Sequence, residues 1–172
     1  ICGSPFLRYV YEDVRKFADL GVKGIYSEGR DGNDTDSCQY AFEKLRDYLV
    51  CELMWNPYMS YREYLNKAEE FISIYYGEEA EPYIFRYLQL WEAAAEASDH
   101  DFVYNFDGMK AIFNLDYCGE HYAEMSALFD KAEQTHITEE QLLRIKKLRC
   151  TMDFLGLTGV YYKRYVNGSP ES

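Results

Sequence analysis

Two side chains with chemical potential lie close together near the start of the chain. Tyr26 and Glu28 fall at the end of the stretch GVKGIYSEG, Gly21–Gly29, a short β-favouring run bracketed by glycines. In an α/β barrel the carboxyl end of a strand faces the active site, where binding and catalytic groups collect. Glu28 fits a capping or ion-pairing role in the following loop equally well, and both interpretations stay open.

Other catalytic patterns are missing from the sequence. The three histidines, His100, His121 and His136, are isolated, and there is no HExxH, GxSxG or phosphate-binding glycine loop. The acidic loop after Gly29 lacks the glycine and the glutamate that a calcium-binding loop requires at its sixth and twelfth positions. We therefore predict no metal site and no cofactor.

A helix must position the predicted strand. Apolar residues recur at helical spacing before Gly21, after Ser4 and Pro5 as N-cap and first helical residue, which gives a helix, tight turn and strand of the kind repeated in α/β barrels. A single strand cannot satisfy its own backbone N–H and C=O groups. We therefore expect the missing strands either upstream of Ile1 or in another copy of the chain.

The rest of the chain is predicted to be helical. Helices are expected from about Cys38 to Asn56, from a capping box at Ser60 and Glu63 to Gly77, from near Glu79, from about Gly119 to Thr135, and after a second capping box at Thr138 and Gln141. A short helix from Gly108 to Phe113 is expected within the aromatic-rich residues 98–117. The predicted fold class is mainly α, a bundle of antiparallel helical hairpins with one short strand.

Particular side chains of these helices are assigned to the interior. Glu52 projects from the apolar arc of the second helix, so we predict a buried, paired carboxylate in preference to a functional one. Trp55 and Trp91 are expected in the core. The five cysteines form no CxxC pair and are expected to be small core residues, so they do not identify a compartment.

Composition limits the partners. The chain has 172 residues, 48% of them hydrophobic, which suits one compact body with a disordered tail at 167–172. A formal net charge of −12 opposes nucleic-acid phosphates and anionic membrane surfaces. No stretch of sequence is apolar for long enough to span a bilayer. We expect no nucleic acid and no membrane span.

Several blocks in order carry a resemblance. The segments DVRKFADLGVKGIYSEG, LRDYLVCELMWNP, YREYLNKAEEFISIYYG and EPYIFRYLQLWEA, with LFDKAE more loosely, resemble the C-terminal part of a bacterial family of uncharacterised, glycoside-hydrolase-like proteins, domain of unknown function 4838. Its members are similar in layout to α-glucuronidase and hexosaminidase-type enzymes, in which a helical region follows a TIM barrel. The resemblance implies that residues 1–37 are the last helix and strand of a truncated barrel and that 38–166 are the helical region.

The same resemblance implies a function. Tyr26 and Glu28 would bind saccharide at the barrel mouth, and the protein would be secreted or periplasmic. The chain would be at most part of a glycoside hydrolase, because nothing in it fixes a second carboxyl group opposite Glu28. The alternative is a helical interaction module that pairs its strand with a second copy in a homodimer and has no catalytic role.

Overall fold

A computed structural model of the protein describes residues 7–26, 42–97 and 115–165, with side chains at all of them except 95, 115–119 and 154–165. The described residues form six α-helices and no β-strand. Their bounds in chain order are α1 Leu7–Asp19, α2 Glu43–Trp55, α3 Tyr61–Tyr76, α4 Glu81–Glu96, α5 Leu115–Glu133 and α6 Glu139–Tyr165. The prediction of a mainly helical chain is confirmed for this part of the molecule.

Helices α3 to α6 form a ring. Each packs against the next in sequence, and α6 closes the ring by packing against α3. Neighbouring helices run antiparallel: Glu79, before α4, accepts from the backbone N–H of His136, whereas Arg86 further along α4 binds Glu124, earlier in α5. Both predicted helical hairpins are present, α3 with α4 and α5 with α6.

The interior of the ring is filled by apolar side chains that recur at helical spacing along α3, α4, α5 and α6. Burying a large apolar side chain contributes about 1.5–3 kcal/mol relative to leaving it exposed. Burial of these side chains therefore stabilises the packing of the four helices against one another. The buried members include Tyr64, Ala68, Ile72, Ile84, Tyr87, Leu88, Trp91, Met125, Phe129, Ala132, Ile145, Leu148 and Met152.

Both predicted capping boxes lie at helix starts. The Ser60 hydroxyl accepts a hydrogen bond from the backbone N–H of Glu63 at 3.2 Å, at the start of α3. Before α6 the box is reciprocal, since Thr138 Oγ1 accepts from the Gln141 N–H at 3.2 Å and Gln141 Oε1 accepts from the Thr138 N–H at 3.0 Å. Each box satisfies backbone N–H groups that a first helical turn leaves without intrahelical partners.

One end of the ring, which we call the hairpin end, comprises residues 73–81 and 134–144. Gly77 stops α3 with φ 109°, and the Ile137 side chain lies where a Cβ on Gly77 would stand, so this position requires glycine. Arg144 Nη1 donates to the carbonyl of Tyr75 at 2.9 Å, and its guanidinium lies 4.1 Å from the centre of the Tyr75 ring. These contacts fasten the two hairpins to each other.

Helices α2 and α1 lie outside the ring. Helix α2 packs on α3, and α1 packs on α2. Phe42, just before α2, adopts a left-handed conformation with φ 62°, which costs a non-glycine residue about 1–2 kcal/mol. Its ring is buried against those of Tyr76 and Tyr87, at centroid distances of 6.3 and 6.0 Å. Tertiary packing of Phe42 therefore determines the residue at which α2 begins.

Some predictions fall outside the described residues. They are the cap at Ser4 and Pro5, the start of the second helix near Cys38, the short helix Gly108–Phe113 and the tail 167–172.

Candidate functional site

The predicted site residues lie beyond the end of α1. The Tyr26 side chain is 90% exposed, so its ring is accessible to a ligand or a partner. Glu28 lies outside the described residues.

The segment that leads to Tyr26 is irregular where a strand was predicted. The Val22 N–H donates to the carbonyl of Phe17 at 3.0 Å, which closes the turn after α1 at Gly21, with φ 79°. Residues 23–26 form no backbone hydrogen bond to other described residues. Ile25 is half-buried against the core. The strand is not confirmed, and the physical reason is that a strand needs a neighbouring strand, whereas the described part of the chain is helical.

Two long-range hydrogen bonds fix helix α1, which precedes this segment, to the other helices. The Tyr11 hydroxyl donates to the carbonyl of Met59 at 2.9 Å, in the turn between α2 and α3. The Leu7 N–H donates to Glu92 Oε1 of α4 at 3.2 Å, so a carboxylate stabilises the N-terminal turn of α1. Two long-range bonds therefore fix the direction in which the chain reaches Tyr26.

Three tyrosines pack where α1 meets α3. Tyr11 lies 5.0 Å from Tyr61 and 5.4 Å from Tyr64 between ring centres. Burial, and then the Glu92 carboxylate, raise the pKa of Tyr64 far above its usual range. The Tyr64 hydroxyl therefore stays protonated even at alkaline pH, where an ordinary tyrosine ionises. The cluster is suited to holding α1 in place rather than to proton transfer.

An exposed aromatic surface lies beside this cluster. We call residues 53–62, from the end of α2 to the start of α3, the aromatic turn. Trp55 is 92% exposed, Tyr58 is 57% exposed and Met54 is 46% exposed. Arg15 of α1 reaches this surface, with its guanidinium 5.7 Å from the centre of the Tyr58 ring and Nη1 donating to the Tyr11 hydroxyl at 3.1 Å.

The two tryptophans therefore differ in their environment. Trp91 is 5% exposed, which confirms its prediction as a core residue, whereas the same prediction for Trp55 is wrong. Trp55 is the last residue of α2, and the chain turns at Pro57 without covering the indole. Periodicity misses this because an apolar residue in a last helical turn looks the same whether or not another element packs on it.

Glu52 is paired but not buried. Its carboxylate lies 3.5 Å from Lys67 Nζ of α3, and the two side chains are 30% and 34% exposed. The predicted pairing is confirmed, with Lys67 as the partner. The predicted core position is wrong because this face of α2 is only partly covered, although Leu45, Leu49 and Leu53 on other faces of the helix are buried. Cys51 on α2 and Cys150 on α6 are exposed free thiols, so the core prediction is wrong for these two cysteines, whereas the side chains of the other three lie outside the described residues.

The two histidines in the described part of the chain both lie beside glutamates. No group of three His, Cys, Asp or Glu side chains there is arranged to hold a metal ion. His136 is 96% exposed, and His121 Nδ1 lies 3.3 Å from Glu124, which also binds Arg86. Nor is any described helix long and apolar enough to cross a membrane.

Sequence reasoning did not find the exposed surface of the aromatic turn. The signal that could have found it is the run LMWNPYMSYR itself, which has no acidic residue although the chain contains 30 among 172.

Comparison with known proteins gives a family and no individual relative. No curated protein and no solved structure matches the chain. A family model, described as Domain of unknown function (DUF4838), matches residues 1–89 of the 172. The matched part contains α1, α2, α3 and the first half of α4, and with them the aromatic turn and Tyr26. The chain therefore belongs to the DUF4838 family of proteins.

Proposed function

We propose that this chain is a helical segment of a carbohydrate-active, glycoside-hydrolase-like protein, in which it supports a sugar-binding barrel and is not catalytic by itself. The observation that carries the proposal is the segment after α1. Its residues favour β structure, its backbone at 23–26 makes no hydrogen bond to other described residues, and the Tyr26 ring is 90% exposed.

A neighbouring barrel strand would give the backbone of this segment its hydrogen-bond partners. Backbone N–H and C=O groups that leave water must find partners, and the edge of a neighbouring strand supplies them at regular spacing. Helix α1, fixed by its bonds to Met59 and Glu92, would deliver the segment to that edge in one orientation. Tyr26 and Glu28 would then lie at the barrel mouth and bind saccharide.

Catalysis by this chain alone is not part of the proposal. Glycoside hydrolysis needs two carboxyl groups on either side of the bond, one of which is a general acid with a raised pKa. Among the described carboxyl groups, the pKa of Glu81 is raised, first by burial and then by the Glu69 carboxylate. Glu81 lies at the hairpin end, whereas Tyr26 follows α1, which packs near the opposite ends of α3 and α4.

The test is saccharide binding by a protein that carries both the barrel and this segment. Glu28→Gln should weaken binding on the order of ten-fold, since a hydrogen bond to a charged group contributes about 1.5–3 kcal/mol. The melting temperature should stay the same. Glu120→Gln is the matched control, because it removes the charge of an exposed glutamate on α5. Equal binding by wild type and Glu28→Gln, measured by calorimetry, would contradict the proposed role.

A second candidate function is a homodimeric interaction module without catalysis. The exposed Trp55 favours it, because large aromatic side chains are enriched at protein interfaces. Sedimentation of the 172-residue chain distinguishes the two candidates. A mass that doubles with concentration supports the dimer, and a constant monomer mass removes it.

A further inference from the structure

We infer that α1 is a releasable helix, which undocks and unfolds as one unit while α2 to α6 stay folded, and which thereby uncovers the Tyr64 side chain. This motion goes beyond the proposed function, because it requires neither a saccharide nor another protein segment. It follows from the way in which α1 is attached to the other helices and from the chain that comes after it.

Helix α1 buries few apolar side chains. Of its 13 residues only Leu7 and Val14 are buried, whereas each of the other helices has at least three buried side chains among those described. Phe17, in the last turn of α1, is 41% exposed. Burial of apolar surface is the main favourable term when a helix docks. The hydrophobic contribution to docking is therefore smaller for α1 than for the helices of the ring.

Polar contacts make up much of the remaining attachment. The Tyr11 hydroxyl donates to the Met59 carbonyl at 2.9 Å, and Arg8 Nη1 lies 3.5 Å from Glu96 Oε1, in an ion pair whose side chains are both more than half exposed. Water replaces such partners when the helix leaves, so each contact contributes little net stability. These contacts orient α1 on the other helices without binding it strongly.

The Tyr64 side chain is buried beside α1 and favours the release of that helix. Its ring centre lies 5.4 Å from that of Tyr11, and the Glu92 carboxylate that accepts from the Leu7 N–H also contributes, after burial, to the raised pKa of Tyr64. The Tyr64 hydroxyl has no hydrogen-bond partner among the described residues. A buried hydroxyl without a partner has lost its hydrogen bond to water. Undocking of α1 admits water to this hydroxyl, which stabilises the open state.

The chain after α1 can serve as a hinge. Gly21 has φ 79°, and neither Gly21 nor Gly24 has an atom within 4 Å of an added Cβ. Glycine restricts backbone rotation less than any other residue. Residues 23–26 form no backbone hydrogen bond to other described residues. Helix α1 can therefore change its position without breaking backbone contacts of the segment that follows it.

Helices α2 to α6 keep their mutual packing when α1 leaves. Helix α1 packs mainly on α2, whereas α2 packs on α3, and Phe42 before α2 is buried against Tyr76 of α3. Release of α1 therefore breaks no contact between the other helices. An isolated helix of this length is only marginally stable in water, so the released α1 unfolds and its amides exchange with solvent.

Native-state amide hydrogen exchange of the 172-residue chain, at low urea concentrations, tests the inference. We expect the amides of residues 11–19 to exchange on the order of ten-fold faster, or more, than the slowest amides of α3 and α4, after correction for intrinsic rates. Their opening free energy should fall with urea along a slope smaller than that of global unfolding, because undocking exposes only part of the protein surface.

Two conservative variants separate release of α1 from global unfolding. Tyr11→Phe removes the bond to the Met59 carbonyl and should speed exchange on the order of five-fold, both in α1 and in the slowest amides of the ring, because both openings release α1. Ile145→Val removes one methyl group from a fully buried side chain of α6. It should speed the slowest ring amides by a similar factor and leave the α1 amides unchanged, because the ring stays closed when α1 leaves.

Three results would overturn the inference. Acceleration of α1 and ring amides by the same factor in Ile145→Val would mean that α1 opens only when the whole chain unfolds. Exchange of the α1 amides at the rate of the slowest ring amides in the unmodified chain would mean the same. Exchange of the α1 amides that responds neither to urea nor to Tyr11→Phe would show that the helix frays in place and does not undock.

Discussion

The hairpin end and the aromatic turn are built in opposite ways. At the hairpin end, Arg144 and Gln141 of α6 bind the carbonyls of Tyr75 and Ile74, and Ile137 fills the space beside Gly77. At the aromatic turn, Trp55 and Tyr58 extend large apolar surfaces into solvent. Contacts between the two hairpins therefore fix the backbone of the hairpin end, although Ile74 and Leu143 are also exposed there, whereas the rings of Trp55 and Tyr58 lie largely outside the packing of the helices.

The two tryptophans give the strongest test of this comparison. Trp91→Ala should cost about 3–5 kcal/mol of unfolding free energy, because it leaves a cavity inside the ring. Trp55→Ala should change the same quantity by less than about 0.5 kcal/mol, since an exposed side chain makes few contacts to lose. Urea unfolding of the 172-residue chain measures both. A large loss for Trp55→Ala would show that the turn belongs to the core.

Two glycines with positive φ differ in how closely their surroundings are packed. Gly77→Ala should cost on the order of 3 kcal/mol, because the backbone is unfavourable for alanine and the new Cβ meets Ile137. Gly21→Ala, with φ 79° and nothing within 4 Å of the added atom, should cost about 1 kcal/mol from the backbone alone. Gly24→Ala, without positive φ or a neighbour, is the control. Equal losses at Gly77 and Gly21 would contradict the close packing of the hairpin end.

The smallest expected effect concerns the ion pair between α2 and α3. Glu52→Gln should cost only about 0.5 kcal/mol, since both Glu52 and Lys67 remain about one-third exposed and water screens their attraction. A double-mutant cycle with Lys67→Met isolates the coupling from other contacts of the two side chains. A coupling of several kcal/mol would mean that the pair is buried and that α2 is more central than the structure places it.

Local features of the fold could be predicted from sequence. The capping boxes at Ser60 and Thr138 use short-range hydrogen bonds, and the stripes on α3 and α4 follow from helical periodicity. Both depend on residues within a few positions of one another, so the sequence alone contains the needed information. The hairpins follow because short turns force neighbouring helices to run antiparallel.

Features that depend on distant neighbours could not be predicted. An apolar arc on α2 predicts burial of Glu52, Cys51 and Trp55, yet only the contacts of α2 in the fold decide which of its faces are covered. The strand predicted after α1 also depends on distant neighbours, because β structure requires a partner strand that local sequence does not specify. The site is the hardest part, since Tyr26 and Glu28 acquire a role only through what surrounds them.

In the proposed function, the segment after α1 completes a sheet of a sugar-binding barrel. Amide hydrogen exchange at residues 23–26, in a protein that carries both units, tests this claim directly. We expect strong protection of the amides throughout residues 23–26, because a barrel strand has a neighbour on each side, although the described residues alone give these amides no acceptor. Exchange at the rate of an unstructured peptide throughout residues 23–26 would contradict it.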